Sequence, residues 1–200
     1  MFEYEDRLKA EGYTLIAGID EAGRGPLAGP VVCAIALMPL EKEKIIDGVN
    51  DSKKLTAKVR EKLYDNIINT AISYRIEVVD NKKIDEINIL NATKQGMTNC
   101  INNISITPDI ALIDAVKIQT PVKTISIIKG DEKSYSIACA SILAKVYRDR
   151  LMQNYDKIYP NYEFAKHKGY ATRKHIELLK KFGKCDLHRD SFIKNFTGEI

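Results

Sequence analysis

Residues 14–38 read Thr-Leu-Ile-Ala-Gly-Ile-Asp-Glu-Ala-Gly-Arg-Gly-Pro-Leu-Ala-Gly-Pro-Val-Val-Cys-Ala-Ile-Ala-Leu-Met, and this stretch decides the fold. Leu15, Ile16, Ala17 and Ile19 form a short apolar run. Thr14 to Asp20 therefore reads as a strand that ends in turn chemistry, Glu21-Ala22-Gly23-Arg24-Gly25-Pro26. Val31 to Met38 is a second apolar strand. Only about ten residues separate the two, close enough for pairing.

Outward from this pair, Lys54 to Ala71 carries Leu55, Val59, Leu63, Ile67 and Ala71 at steps of four, a helix. Ser73 to Val79 alternates Tyr74, Ile76 and Val78 with polar neighbours, a half-exposed strand. Ile84 to Ile104 returns to helical spacing, and two short β-like runs come next, Ile110 to Ile113 and Val122 to Ile128. Ser134 to Met152 reads as a long helix capped by Ser134, and its small residues Ala138 to Ser141 suit close approach to a sheet. Thr172 to Phe182 is a last amphipathic helix, with Thr172 as N-cap and Gly183 placed for a C-cap. The chain has no repeat, low-complexity run or Ser/Gly-rich linker. The expected fold is α/β, five strands with interleaved helices. Residues 1–143 form the core, and a basic, mostly helical portion over 144–200 packs on it within a single structural domain.

Composition narrows the classes. The 200 residues are 44% hydrophobic and 29% charged, with 31 Lys and Arg against 27 Asp and Glu, which excludes a disordered or fibrous chain. The longest apolar stretch, Val31 to Leu40, is about half of the ~20 residues a membrane span needs, so no membrane association is expected. The acidic N-terminus lacks the profile of a secretory signal. Cys33, Cys100, Cys139 and Cys185 are scattered, which argues against disulfides or structural zinc and for a reducing cytoplasm. The net +4 hides an asymmetry. Residues 144 to 195 hold 13 Lys and Arg against six acids, a local +7, and leave −3 for the remainder. Such a block is either a solvated helical surface or a footprint for a polyanion.

Four acids stand at the ends of β-runs or just beyond: Asp20 and Glu21 after the first strand, Asp114 after Ala111-Leu112-Ile113, and Asp131 after Ile127-Ile128-Lys129-Gly130. Sites in α/β sheets are built at such ends. Gathered carboxylates need a cation to persist ionised, and all-oxygen ligands suit magnesium or manganese. Two such ions about 3.5–4 Å apart clamp a phosphodiester and activate water. The alternative is four solvated turn residues. Adjacent strand residues face opposite sides, so Asp20 and Glu21 share a site only if the strand bends or ends there. Gly23-Arg24-Gly25 is neither a dinucleotide fingerprint nor part of a Walker motif. It is a tight turn or a place where backbone approaches a ligand. Lys145 and Arg148, three apart on a helix, could meet successive phosphates. Tyr170, after His167-Lys168-Gly169, is suited to stacking on a sugar or base, or is a surface loop residue. The three histidines sit among lysines rather than beside a nucleophile turn, against Ser- or Cys-based catalysis.

The chain resembles the type 2 ribonuclease H family, ribonuclease HII. The resemblance rests on residues 18–32, Asp-Ser-Lys-Lys-Leu (51–55), Ile-Asn-Ile-Leu-Asn-Ala-Thr (87–93), Leu-Ile-Asp-Ala (112–115) and Lys-Gly-Asp (129–131). It continues through Ala-Ser-Ile-Leu-Ala-Lys-Val-Tyr-Arg-Asp (140–149), His-Lys-Gly-Tyr-Ala-Thr (167–172) and His-Arg-Asp-Ser-Phe (188–192), in family order. It implies a ribonuclease H-like fold, a central mixed five-stranded sheet flanked by helices with a C-terminal helical extension. It also implies hydrolysis of RNA in RNA–DNA hybrids and incision 5′ of single ribonucleotides embedded in DNA, with Mn2+ or Mg2+ as cofactor. The family's acidic quartet falls on Asp20, Glu21, Asp114 and Asp131. Its turn that contacts the ribose 2′-hydroxyl falls on Gly23, Arg24 and Gly25, and its junction tyrosine on Tyr170. Lys53, Lys145 and Arg148 resemble phosphate-contacting positions. The short lead before the first strand implies no extra N-terminal substrate-binding domain of the type 3 kind, and little chain remains after Phe196 to recruit a partner. A monomer is expected. Two other classes compete: a binding module with solvated acids, and a metal nuclease of different specificity.

Overall fold

A computed structural model of the chain describes residues 1–197. The residues beyond Thr197, and with them the expectation about a tail, lie outside the described residues. The strands are β1 (Ile16–Ala22), β2 (Val31–Leu37), β3 (Ser73–Val79), β4 (Ile110–Asp114) and β5 (Lys123–Ile127). They form one sheet in the order β3-β2-β1-β4-β5. β1 pairs antiparallel with β2 and parallel with β4, so the sheet is mixed with β1 at its centre.

Every residue of β2 is buried because both its faces are covered. Val32, Ala34 and Ala36 meet α2 (Ala57–Thr70) and α5 (Tyr135–Ile158) on one side. Cys33, Ile35 and Leu37 meet α3 (Asn81–Asn103) on the other. That double burial explains its unbroken apolar run. The small residues opening α5 serve the close approach expected of them. A Cβ on Gly18 of β1 would lie 2.0 Å from the Ser136 carbonyl carbon, so only glycine lets α5 press onto the central strand.

Ser134 caps α5, accepting from the Ile137 N–H at 3.2 Å, and Thr172 caps α7 (Arg173–Phe182). α5 runs unbroken from Tyr135 to Ile158, further than its apolar spacing indicates. The remaining helices are α4 (Gly130–Lys133), α6 (Phe164–His167), α8 (Asp190–Thr197) and an N-terminal α1 (Glu3–Ala10). α1 lies in a lead for which the sequence reading set no element. Its signal is in side chains that meet remote partners: Glu5 Oε1 accepts from Ser134 Oγ (2.6 Å) and the Ser136 N–H (3.0 Å), clamping the start of α5. Two other departures are local. Asp51-Ser52-Lys53-Lys54 forms a separate 3-10 turn before α2, which opens at its own cap Thr56. Asn88 breaks α3 with φ 64° and ψ 163°, and its Oδ1 caps the restarted helix at the Asn91 N–H (3.0 Å).

The C-terminal portion is stitched to the loop after β1. Leu27 N donates to Gly169 O (2.8 Å), Gly29 N to Leu187 O (2.8 Å) and Arg189 N to Leu27 O (2.8 Å). Ala28, Met152, Tyr162, Phe164 and Leu187 form a small core beneath. Among the described residues no helix is long and apolar enough to cross a membrane.

Candidate active site

The last parallel pair between β1 and β4 is Ile19 with Ile113, so the sheet's register sets Asp20 beside Asp114 where those strands part company. Asp114 Oδ1 accepts from the Gly130 N–H (2.7 Å), which ties the end of β4 to α4 and brings in Asp131. Asp20 and Asp131 are both 4% exposed. β1 continues to Ala22 rather than ending at Asp20, so strand alternation holds. Asp20 shares the α5 face with Gly18, and Ser141 of α5 lowers its pKa against the effect of burial. Glu21 leans toward Arg24, whose Nη1 lies 3.5 Å from its Oε1.

Crowding has an electrostatic consequence. Burial first, then the charges of Glu21 and Asp114, hold Asp20 well above the usual carboxylate range. Glu21 is raised by burial and by Asp114, with Arg24 opposing. Asp114 is raised by burial and by Asp131, against the Gly130 N–H bond. Lys53 answers part of this. The 3-10 turn, capped by Asp51 at the Lys53 N–H (2.9 Å), aims Lys53 Nζ at Asp131 Oδ2, 3.2 Å away. Partial burial pulls Lys53 down, and the Asp131 charge and bond outweigh it and leave it raised.

The Gly-Arg-Gly turn lies at the same strand end. Gly23 has φ +100°, and a Cβ there would fall 2.1 Å from Arg148 Nε. Arg24 and Gly25 are exposed. Tyr170, 41% exposed, stands over Lys145 Nζ and the Arg148 guanidinium at 5.9 and 5.8 Å. Its turn is held by the histidines. Cys185 N donates to His188 Nδ1 (2.9 Å), which leaves the proton on His188 Nε2, directed to His175 Nε2 at 3.2 Å. His175 Nδ1 in turn donates to Tyr170 O (2.9 Å). His167 Nε2 is committed to Tyr162 O (2.8 Å). All three histidines are buried in bonds to one another and to backbone, which suits structure and not nucleophile activation.

Arg148 corrects an expectation. It is fully buried, its guanidinium donates to Pro30 O (2.9 Å), Lys168 O (3.0 Å) and Ala28 O (3.2 Å), and no part of it faces the surface where a phosphate would lie. A step of three leaves two helical residues about 60° apart on the circumference. That rotation takes Lys145 to the partly open edge, paired with Asp149 at 2.8 Å, and Arg148 underneath.

A sequence model of the family described as Ribonuclease HII matches residues 17–195. The chain belongs to the ribonuclease HII family. It is 57% identical over 195 residues to the ribonuclease HII of Caldicellulosiruptor bescii, covering 97% of this chain and 94% of that one. The enzyme of Caldicellulosiruptor saccharolyticus is 55% identical over 197 residues, 97% of this chain and 94% of its own. Among solved structures, the ribonuclease H2 of Pyrococcus horikoshii superposes with a TM-score of 0.79 at 29% identity, over 92% of this chain and 97% of that one. Ribonuclease HII cleaves the RNA of RNA–DNA hybrids and acts at embedded ribonucleotides, so this chain is a ribonuclease H, a divalent-metal-dependent hydrolase.

The residues of this ribonuclease HII chain fit such an ion. Four carboxylates converge with two cationic side chains, and Glu21 Oε2 is buried with no hydrogen-bond partner. All-oxygen donors that repel one another are the chemistry a hard divalent cation resolves. Among the described residues, no three His, Cys, Asp or Glu side chains stand close enough together to hold one ion as they are. Lys53 and Arg24 sit on two of the four acids instead. Sequence reasoning misses Ser141, Ser52 (Oγ–Oγ 2.9 Å from Ser141) and Arg189. In the sequence Ser141 reads only as a small residue of the Ala-Ser-Ile-Leu-Ala-Lys motif. Arg189 carries no assigned role inside His-Arg-Asp-Ser-Phe, and no local signal in the sequence marks it as buried.

Proposed function

We propose that Asp20, Glu21, Asp114 and Asp131 carry the ribonuclease activity, holding one or two divalent ions, Mg2+ or Mn2+, at the strand ends. The observation that carries this reading is the convergence of four carboxylates, three of them raised by burial and mutual repulsion. The chemistry supplied by bound ions is activation of the attacking water and stabilisation of the leaving 3′-oxygen. Asp20, Glu21 and Asp114 are the ligands, and Asp131 completes the second site or handles protons. Lys53 neutralises Asp131 until substrate and cation arrive. Gly23, Arg24 and Gly25 contact the ribose 2′-hydroxyl, the group that separates RNA from DNA. Tyr170 packs on the deoxyribose at the junction, and Lys145 meets a phosphate at the open edge of α5.

Incision falls 5′ of the ribonucleotide and leaves 3′-hydroxyl and 5′-phosphate ends. The enzyme works as a cytoplasmic monomer, one structural domain with residues 144–200 as its basic extension. The test is one duplex with a single internal ribonucleotide beside its all-DNA counterpart, each with and without manganese. Cleavage of the first alone, in metal alone, with a 5′-phosphate on the downstream fragment, is the expected result. Binding indifferent to metal, with no cleavage, returns the chain to a binding module. Cleavage of both duplexes makes it a different metal nuclease.

A further inference from the structure

Two guanidiniums, those of Arg148 and Arg189, are fully buried side by side with no carboxylate within ion-pair distance among the described residues. Burying such charge is costly unless polar groups compensate. Here six backbone carbonyls do so. Arg148 takes Ala28, Pro30 and Lys168. Arg189 takes Gly23 (Nη2, 2.6 Å), Arg24 (Nη1, 2.9 Å) and Gly29 (Nε, 2.9 Å). Burial, then Arg148, lower Arg189 from the ordinary arginine range, a sign of how little else is present to offset its charge.

The direction of those carbonyls matters. A trans peptide points its C=O and the next N–H oppositely, and the described chain has no cis bonds. With the Gly23 and Arg24 carbonyls turned inward onto Arg189, the N–H groups of Arg24 and Gly25 turn outward. Neither donates to an acceptor among the described residues. A Cβ on Gly25 would meet nothing within 4 Å, and its φ is not positive, so the fold itself makes no demand for glycine there. The space above that N–H is open to a partner from outside.

We infer that Arg189 is a positioning residue for ribose recognition: by holding the Gly23, Arg24 and Gly29 carbonyls it presents the Arg24 and Gly25 N–H groups, as a pair, to the 2′-hydroxyl oxygen. Arg148 braces the same turn from beneath and ties it, through Lys168 O, to the turn that carries Tyr170. This rests on the reading of Gly23–Gly25 as the ribose contact.

The test measures affinity, without metal so that nothing is cut, for a duplex with one embedded ribonucleotide and for its all-DNA counterpart. The wild type is expected to prefer the first. Arg189→Lys cannot hold three diverging carbonyls, and is expected to lose roughly 10-fold or more of that preference while affinity for all-DNA duplex stays unchanged. Gly25→Ala, which the fold accommodates, is expected to lose it too. Loss with Gly25→Ala but wild-type preference with Arg189→Lys overturns the positioning inference alone. Wild-type preference with Gly25→Ala overturns the reading of the turn and the inference with it. An Arg189→Lys protein that weakens on both duplexes equally also overturns the inference, since that is general damage. If Arg189→Lys does not fold, Arg189→Gln takes its place, with partial loss expected and full retention overturning the inference.

Discussion

Like charges are crowded in two places in this molecule, and the fold treats them in opposite ways. At the ends of β1 and β4 four carboxylates gather with Lys53 and Arg24 beside them, and one Glu21 oxygen has no hydrogen-bond partner among the described residues. Under the Gly-Arg-Gly turn, two arginines gather and every guanidinium nitrogen meets a backbone carbonyl. The first cluster is unresolved within the chain and waits for cations from solution. The second is resolved within the chain and sets its shape. An uncompensated electrostatic cost thus marks the proposed reacting centre, and a compensated one marks its scaffold.

The sharpest way to break this contrast is Asp20→Asn. Cleavage is expected to fall by about 10³-fold or more, since a ligand of the reacting centre is lost. In chelator the same variant is expected to be more stable than wild type, because a buried carboxyl repelled by its neighbours has been replaced by a neutral amide. Urea denaturation with EDTA reads the second effect; a destabilised variant would show that Asp20 is a structural anchor. Arg148→Met is the mirror experiment. It strands the carbonyls of Ala28, Pro30 and Lys168 in the interior, and the expected loss is about 3–5 kcal/mol by denaturant melt. A loss within experimental error would mean that water reaches those carbonyls.

Cation addition comes next. Magnesium or manganese at about 100 times its dissociation constant is expected to stabilise the wild type by about 2.7 kcal/mol, and Asp20→Asn by much less. An equal rise in both places binding elsewhere. pH is a further lever. His175 is lowered to about 4 by burial, and His188 to about 4 by burial and by His175. Both are neutral in the fold and take up protons more readily when unfolded. Stability is therefore whole above pH 6.5 and falls as pH drops toward 4, at up to about 1.4 kcal/mol per pH unit for each group. Thermal melts at pH 7 and pH 5 in chelator check this, and His175→Gln should show a shallower slope. An unchanged slope would show that the acid loss arises elsewhere.

Much of the fold was legible because it rests on period and punctuation. β3 over Ser73–Val79, the N-caps Ser134 and Thr172, and the apolar β2 come from local pattern. The four acids were legible because carboxylates at strand ends are conspicuous. What stayed hidden depends on remote partners. Glu5 looks like a surface acid until Ser134 and Ser136 are set against it. Arg148 looks like a phosphate contact because spacing along a helix does not say which side of the stripe is roofed over by residues 28–30 and 168. Arg189 belongs to the same blind spot, lying more than 150 positions from the turn it holds.

By itself, then, the amino-acid order determined the β–α succession, the family, and the residues proposed to meet metal and ribose, because hydrophobic period, caps and short motifs act over a few neighbours. Tertiary structure alone decided which charges are exposed to a ligand and which are consumed inside. That depends on burial and on carbonyls brought from distant segments, and a charge's cost is set by what surrounds it in space, not by its place in the chain.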